Sequence, residues 1–151
     1  MSVPLSDRQL EILLIEDNDG DMLLAQEALQ EVSFQHRLHR VKNGEEALNF
    51  LHRLGEFSQV PSPHLILLDL NLPKMDGREL LAKIKNNEET KKIPVIVLTT
   101  SKDEKDIATV YAHHGNAYLI KPIDFGEFTE IMRSVKDFWF DRLVYPKTPR
   151  P

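Results

Sequence analysis

The stretch that decides the fold is HLILLDLNLPKMDG, which occupies residues 64–77. It contains a run of consecutive apolar residues at 65–68. So short a run, with turn residues directly after it, is typical of a strand that is buried on both faces. The run ends at Asp69, and Pro73 and Gly77 mark the turn that follows. An acid at the carboxyl end of a buried parallel strand lies where open α/β sheets form their ligand-binding crevices, so Asp69 is the first candidate functional residue.

The composition is that of an ordinary globular domain. With 151 residues, of which 41% are hydrophobic and 28% are charged, the chain can bury one core but is short for two. The net charge of −5 argues against an electrostatic nucleic-acid binder, which would carry a basic surface. The absence of cysteine excludes disulfides and thiolate metal ligands. Because no secretory leader and no apolar run of roughly 20 residues occurs, we expect a cytoplasmic protein without a membrane segment.

Strand and helix patterns alternate along the chain. Strands are predicted over residues 11–15, 34–41, 65–68, 95–98 and 117–120, the second of them nearer a sheet edge. Helices are predicted to start at Asp19, Asn43–Gly44, Gly77, Ser101 and Asp124, and the second and fourth to close at Gly55 and Gly115. Short connections in such an alternation predict a parallel sheet with helices on both faces, joined by right-handed crossovers.

Local signals fix some of these helix limits. Ser101 and Glu104 have the spacing of a capping box, and Asp124 begins a second such pattern. The second helix is predicted to carry Leu54 on its apolar face, and the last helix to carry Trp139 toward the sheet.

Polar side chains follow four of the five predicted strands. Glu16 and Asp17 follow the first strand, Asp69 the third, Thr99 the fourth and Lys121 the fifth. Parallel strands deliver their ends to one edge of a sheet, so these side chains are expected in one crevice. Crowded carboxylates raise one another's proton affinity unless a cation neutralises them, and oxygen ligands of this kind suit Mg²⁺ together with a phosphate. A carboxylate that attacks phosphorus forms an aspartyl phosphate, and a metal, a lysine and a hydroxyl can neutralise the transferred group.

These residues, taken with several others, resemble the response-regulator receiver domain. The further marks are Leu70-Asn71-Leu72-Pro73, Met75-Asp76-Gly77, Tyr118 and Lys121-Pro122. The resemblance covers residues 10–141. It implies a CheY-like, flavodoxin-like doubly wound α/β fold, with a five-stranded parallel sheet in the order 2-1-3-4-5.

The resemblance implies a metal site in the crevice. Asp17 and Asp69 are expected to coordinate Mg²⁺, or alternatively Mn²⁺. The backbone carbonyl of Asn71 is expected to supply another ligand, and Glu16 to assist through a water molecule.

It also implies a phosphorylation switch. Asp69 is expected to accept a phosphoryl group from a histidine kinase, with Lys121 pairing to that group and Thr99 hydrogen-bonding to it. Tyr118 is expected to be an aromatic switch that follows Thr99, and the Lys121–Pro122 peptide bond is expected to be cis. Such a protein is a signalling switch and not an enzyme, although it catalyses its own phosphorylation and dephosphorylation.

A narrower resemblance points to the kinase partner. Some features are similar to the stand-alone regulators that partner bacterial and cyanobacterial phytochrome kinases. They are Gly55-Glu56-Phe57, the proline-rich loop 60–63, residues 68–74, residues 76–79 and Phe138-Trp139.

Two alternative functions remain open. An aspartyl-phosphate phosphatase also uses a nucleophilic Asp at a strand end, but it places a second Asp two residues later, where this chain has Asn71. A pseudo-receiver that acts without phosphorylation is disfavoured by the intact set of acids and lysine.

The ends of the chain carry further expectations. Residues 1–9 are predicted to be a flexible leader, 10–141 the receiver domain and 142–151 a proline-rich tail, with no output domain after it. Output is therefore expected through another protein or a phosphorelay. One helix face cannot bury Phe138, Trp139 and Phe140 together, so either the helix frays and folds these rings under the sheet, or some of them are exposed and pack on a partner. We expect a homodimer formed through the last strand and the helices that flank it.

Overall fold

A computed structural model describes residues 9–32, 35–121 and 124–137. The strands are β1 Leu10–Ile15, β2 His36–Val41, β3 Leu65–Leu68, β4 Val95–Thr99 and β5 Ala117–Ile120. The α-helices are α1 Asp19–Glu31, α2 Gly44–Leu51, α3 Gly77–Lys85, α4 Glu104–Ala112 and α5 Phe125–Val135, with a short 3-10 helix at Gly55–Phe57. Within these described ranges, no helix combines the length and apolar character that crossing a bilayer requires.

The five strands form one parallel sheet. Its order is β2-β1-β3-β4-β5, which confirms the predicted topology. β3 lies between β1 and β4, and all four of its residues are buried, which explains the uninterrupted apolar run at 65–68. From β1 the chain first adds β2 on one side and then crosses to add β3 on the other side. Such a reversal of strand order opens a crevice at the carboxyl ends of β1 and β3.

The core lies in two layers, one on each face of the sheet. Side chains alternate along β1, so Ile12 and Leu14 pack with α1 and α5, whereas Leu13 and Ile15 pack with α2, α3 and α4. This arrangement confirms the prediction of helices on both faces.

The edge strand β2 is basic, and its arginines form ion pairs with acids on β1 and α1. Arg37 makes a hydrogen-bonded ion pair with Glu11 on β1, at 2.6 Å. Arg40 donates to the carbonyl of Glu16 at 2.8 Å and to the carboxylate of Asp19 at 2.8 Å. These contacts fix the start of α1 against the end of β1.

The second helix ends earlier than predicted. α2 stops at Leu51, and the chain turns through Arg53 and Gly55, whose φ angles of 56° and 59° are left-handed. A left-handed residue cannot continue a right-handed helix, so the prediction of a helix to Gly55 is wrong. Leu54 consequently lies outside the helix with 54% of its surface exposed, while Phe50 takes the buried position.

The start of α4 is also displaced from its predicted position. The carboxylate of Asp103 accepts the Lys105 amide at 2.9 Å and caps the helix, whereas the Ser101 hydroxyl lies outside it. A charged carboxylate is the stronger acceptor for a free amide, so the predicted capping box at Ser101 is wrong. The helix ends at Ala112, before the left-handed His114 with φ of 65°, rather than at Gly115.

The start of α5 agrees with the sequence. Asp124 accepts the Glu127 amide at 2.8 Å, which confirms the predicted cap. The predictions for the leader up to residue 8, Pro122, the aromatic residues 138–140 and the tail fall outside the described residues.

Gly77 sets the path of the chain after Asp69. Its amide donates to the Leu70 carbonyl at 3.0 Å, which closes the loop between β3 and α3. A Cβ atom at this position would lie 2.5 Å from the Leu70 Cα and 2.7 Å from the Asp69 carbonyl oxygen. Both neighbours are backbone atoms and cannot yield as a flexible side chain would, so only glycine fits.

We expect Gly77→Ala to lower the free energy of unfolding by about 2–3 kcal/mol, because the added methyl group must push the backbone of the loop away. Denaturant titration measures the change. Gly126→Ala is the matched control, since its Cβ would meet only ordinary contact at 3.4 Å. It should change stability by less than about 1 kcal/mol, in the stabilising direction. Equal effects of the two substitutions would contradict this account.

Candidate functional site

Three carboxylates meet where β1 and β3 end. Ile15 of β1 pairs with Leu68 of β3, so the residues that follow these two emerge side by side. One carboxylate oxygen each from Glu16, Asp17 and Asp69 lies within 4.8 Å of the others. The structure therefore brings together the acids that the sequence singled out.

The cluster has the donor chemistry of a magnesium site. Glu16 and Asp69 are buried, with 2% and 7% of their surfaces exposed, while Asp17 faces solvent. Hard oxygen donors with one side open to water suit Mg²⁺, which keeps several of its own waters. The residues present fit the ion that the sequence predicts.

Lys121 lies among the carboxylates, as expected for the end of β5. Its ammonium donates to Glu16 Oε2 at 2.7 Å and to Asp21 Oδ2 at 2.8 Å, and it lies 3.4 Å from Asp69 Oδ2. The backbone amide of Lys121 bonds to the Thr99 carbonyl at 2.7 Å, which fixes the end of β5 against that of β4.

Asp21 is a site residue that the sequence analysis missed. It lies in the first turn of α1, where acids commonly favour the helix dipole. Asp19 in the same turn pairs with Arg40 instead. No sequence signal separates these two acids, because the difference is which cation each one meets in the fold.

The carboxylates of the site outnumber the single ammonium, that of Lys121, which contacts them. The pKa of Glu16 is raised to about 7, chiefly by burial and also by the charges of Asp69 and Asp21, while Lys121 opposes the shift. Burial lowers the pKa of Lys121, but the hydrogen bonds that its ammonium donates to Asp21 and Glu16, together with the charges of the nearby carboxylates, outweigh burial, so the net shift is upward. One ammonium thus serves several carboxylates, and a bound divalent cation would relieve the remaining repulsion.

Asn71 joins Asp69 to Thr99. Its backbone amide donates to Asp69 Oδ1 at 3.0 Å, and its side-chain amide donates to Thr99 Oγ1 at 3.2 Å. Thr99 is fully buried at the end of β4, as predicted, while Thr100 beside it is exposed. The metal-ligand role of the Asn71 carbonyl stays a prediction.

A second set of contacts links the predicted switch tyrosine to α3 and α4. The Tyr118 hydroxyl donates to the Ser101 carbonyl at 2.9 Å. The Ser101 hydroxyl in turn donates to the Asp106 carboxylate at 2.6 Å, and the Arg78 guanidinium donates two hydrogen bonds of 2.6 Å to the same carboxylate. Arg78 and then Ser101 hold the pKa of Asp106 down at about 2. We call Arg78, Ser101 and Asp106 the α3–α4 clasp.

The chain is similar to known proteins over most of its length. The response regulator receiver domain family matches residues 12–133. Response regulator Rcp1 of Synechocystis sp. is 44% identical over 135 residues, which cover 89% of this chain and 92% of Rcp1.

Solved structures give the same result. The phosphorylated cyanobacterial phytochrome response regulator RcpA matches with a TM-score of 0.84 at 41% identity, over 93% of this chain and 100% of that one. The Mn²⁺-bound form of Rcp1 matches with a TM-score of 0.81 at 43% identity, over 91% of this chain and 99% of that one.

The chain belongs to the response regulator receiver domain family. It is a signalling protein of two-component systems rather than an enzyme in the usual sense. Phosphorylation, binding of Mg²⁺ and a histidine kinase partner follow from that membership, which confirms the corresponding predictions.

The raised pKa of Glu16 predicts how the metal-free protein responds to pH. An acid whose folded pKa lies above its unfolded value of 4.5 stabilises the fold fully below pH 4.5, and that contribution is lost as pH rises through about 7. We therefore expect the stability of the wild type relative to Glu16→Gln to fall by roughly 2–3 kcal/mol between these limits.

Denaturant titrations of both proteins in a chelator, across this range of pH, measure the difference. A difference that stays constant with pH would contradict the assignment. Added Mg²⁺ should make the free energy of unfolding of the wild type depend less on pH, because a bound cation removes the cost of ionising Glu16.

Proposed function

We propose that Asp69 is the residue that accepts the phosphoryl group from a histidine kinase. The observation that carries this proposal is the convergence of Lys121 and two other acids on the buried Asp69 carboxylate. Lys121 and Thr99 are proposed to hold the transferred group, and Tyr118 to respond to it.

The transfer is a displacement at phosphorus. One Asp69 Oδ atom attacks the phosphorus of a phosphohistidine, the P–N bond breaks, and its electron pair returns to the imidazole, which takes up a proton. The product is an acyl phosphate on Asp69. The ammonium of Lys121 and the hydroxyl of Thr99 donate to the phosphoryl oxygens, whose charge must be neutralised.

A bound Mg²⁺ would supply further neutralisation and orient the phosphoryl oxygens. Asp17, Asp69 and the Asn71 carbonyl would hold it, with Glu16 acting through a water molecule. The same arrangement admits a small acyl phosphate as donor and a water molecule as later acceptor, so we propose that the chain also catalyses its own phosphorylation and dephosphorylation.

The signal is proposed to travel through Thr99 to β5. The phosphoryl group adds roughly 1.5 to 2 negative charges, which attract Thr99 and Lys121. The Tyr118 hydroxyl donates to the carbonyl of Ser101, two residues after Thr99, so a movement of this segment would be transmitted to the Tyr118 ring. A change in the ratio of active to inactive conformations from 1:99 to 99:1 requires a free energy of about 5.5 kcal/mol, which a few charge-assisted hydrogen bonds can approach.

The phosphatase alternative has less support. Its general acid would stand two residues after Asp69, where Asn71 has no acidic proton and its side-chain amide is committed to Thr99. A pseudo-receiver would have no need of the ordered acids and lysine.

The partner is proposed to be a phytochrome-type histidine kinase. The similarity to Rcp1 over 89% of this chain, and to the phytochrome response regulator RcpA over 93% of it, supports the proposal. We propose a cytoplasmic location, where kinases draw on nucleoside triphosphate, and a downstream protein target. The net charge of −5 supports a target that is not nucleic acid. We keep 10–141 as the proposed limits of the receiver domain.

We expect the wild type to gain one phosphoryl group from a small acyl phosphate in the presence of Mg²⁺, and Asp69→Asn to gain none, because the amide is not a nucleophile. Intact-protein mass spectrometry measures the gain. Asp76→Asn is the matched control, since Asp76 caps α3 at an exposed position and asparagine caps equally well. It should be labelled as the wild type is. Label on Asp69→Asn would reject the assignment.

We also propose a homodimer formed through β5 and the helices beside it. Tyr111 of α4, Ile120 of β5 and Phe125 of α5 are large apolar residues with 51%, 38% and 39% of their surfaces exposed. Exposed apolar groups on adjacent elements favour a partner.

Light scattering of the whole chain should give the mass of two chains, and Ile120→Asp should reduce it to one, because an ionised side chain cannot be buried unpaired in an apolar contact. Leu54→Asp is the control, since Leu54 is equally apolar and 54% exposed but lies in the loop after α2. A monomeric wild type would contradict the proposal.

A further inference from the structure

The ammonium of Lys121 has three carboxylate neighbours of two kinds. Glu16 and Asp69 belong to the cluster that could hold a cation, whereas Asp21 does not. The two short contacts, at 2.7 and 2.8 Å, go to Glu16 and Asp21, and the contact to Asp69 is longer at 3.4 Å. The ammonium is thus drawn back from the carboxylate that is proposed to react.

The position of Asp21 is fixed by its helix. The side chain of Asn18 caps α1 by accepting the Asp21 amide at 2.8 Å. The Lys121 side chain is only 12% exposed, and with Asp21 it borders a small apolar cavity lined by Leu14, Leu24 and Phe128. A short carboxylate on a capped turn can therefore hold the ammonium at one place, because neither partner has much freedom.

We propose that Asp21 is a positioning residue, which keeps the Lys121 ammonium at the longer distance of 3.4 Å from Asp69 Oδ2, so that Asp69 remains available to bind a cation and to attack phosphorus. The inference rests on the proposed function of Asp69 and Lys121. A lysine at the short distance of a strong charge-assisted hydrogen bond to Asp69 would neutralise the nucleophile more fully and compete with the cation for its oxygens. A phosphoryl oxygen, which extends beyond Asp69, would meet the ammonium without a large movement of Lys121.

Asp21 retains this role when a cation is bound. A divalent ion in the cluster would engage the charge of Asp69 and, through water, that of Glu16. Asp21 lies outside the cluster of Glu16, Asp17 and Asp69, so its carboxylate stays paired with the ammonium of Lys121. Its effect on the site should therefore pass through Lys121 rather than through the cation directly.

The test is a double-mutant cycle on Mg²⁺ affinity, measured by calorimetry with the metal alone. Asp21→Asn should weaken binding roughly fivefold or more, because the released ammonium moves onto Asp69. In a Lys121→Met background the same change should alter affinity by less than about twofold, which is the size expected from one half-exposed charge acting through water. Equal effects in the two backgrounds, or no effect in the first, would overturn the proposal.

Asp19→Asn is the matched control. It removes the same charge from the same turn of α1, but Asp19 pairs with Arg40 and not with Lys121. It should change Mg²⁺ affinity by less than about twofold. An effect as large as that of Asp21→Asn would show that charge alone is responsible and would overturn the proposal.

A crystal structure of Asp21→Asn provides a readout that does not depend on the folding of the Lys121 variant. The distance from Lys121 Nζ to Asp69 Oδ2 should shorten from 3.4 Å to about 2.8 Å. A distance that stays at 3.4 Å would overturn the proposal. Because neither the cycle nor this distance involves phosphoryl transfer, a wild type that takes no label would reject the proposed function while leaving the role of Asp21 to its own test.

Discussion

The site depends on one ammonium placed among several carboxylates. Lys121 reaches Glu16, Asp21 and Asp69 because the strands that carry or precede them end at the same edge of one parallel sheet. Without that cation the ionised form of the buried Glu16 would be still less favourable, since burial and the neighbouring carboxylates already raise its pKa. The pairing leaves an excess of negative charge, and this excess makes the edge of the sheet a place for a divalent ion and then for a phosphoryl group.

Much of the fold could be predicted because its signals are local. The apolar run at 65–68, with turn residues directly after it, favours a strand covered on both faces, and the alternation of strands and helices then leaves few topologies. Asp124 illustrates a cap that the sequence places correctly, since the amide it accepts is three residues away. Leu54 illustrates the opposite case, because the left-handed turn at Arg53 that ends α2 has no strong sequence mark.

The parts of the site that escaped prediction depend on distant contacts. Asp21 and Lys121 are 100 residues apart in the chain, and the Arg78 partner Asp106 lies 28 residues away. Asp21 and Asp106 lie in the first turns of α1 and α4. Acids are common there because they interact favourably with the helix dipole, so the sequence does not distinguish these two from neighbouring acids. The α3–α4 clasp also explains the displaced start of α4: the Ser101 hydroxyl is engaged with Asp106 and leaves the cap to Asp103.

The basic strand β2 has a consequence for how the sheet meets other chains. An edge strand offers free amides and carbonyls to any extended segment, and sheets grow by such addition unless the edge is guarded. Arg37 and Arg40 stand along this edge, and the acids they pair with lie inward on β1 and α1. Charged side chains along an edge strand disfavour the addition of another strand. The edge at β2 is therefore guarded by charge, whereas β5 at the other edge of the sheet presents the apolar Ile120.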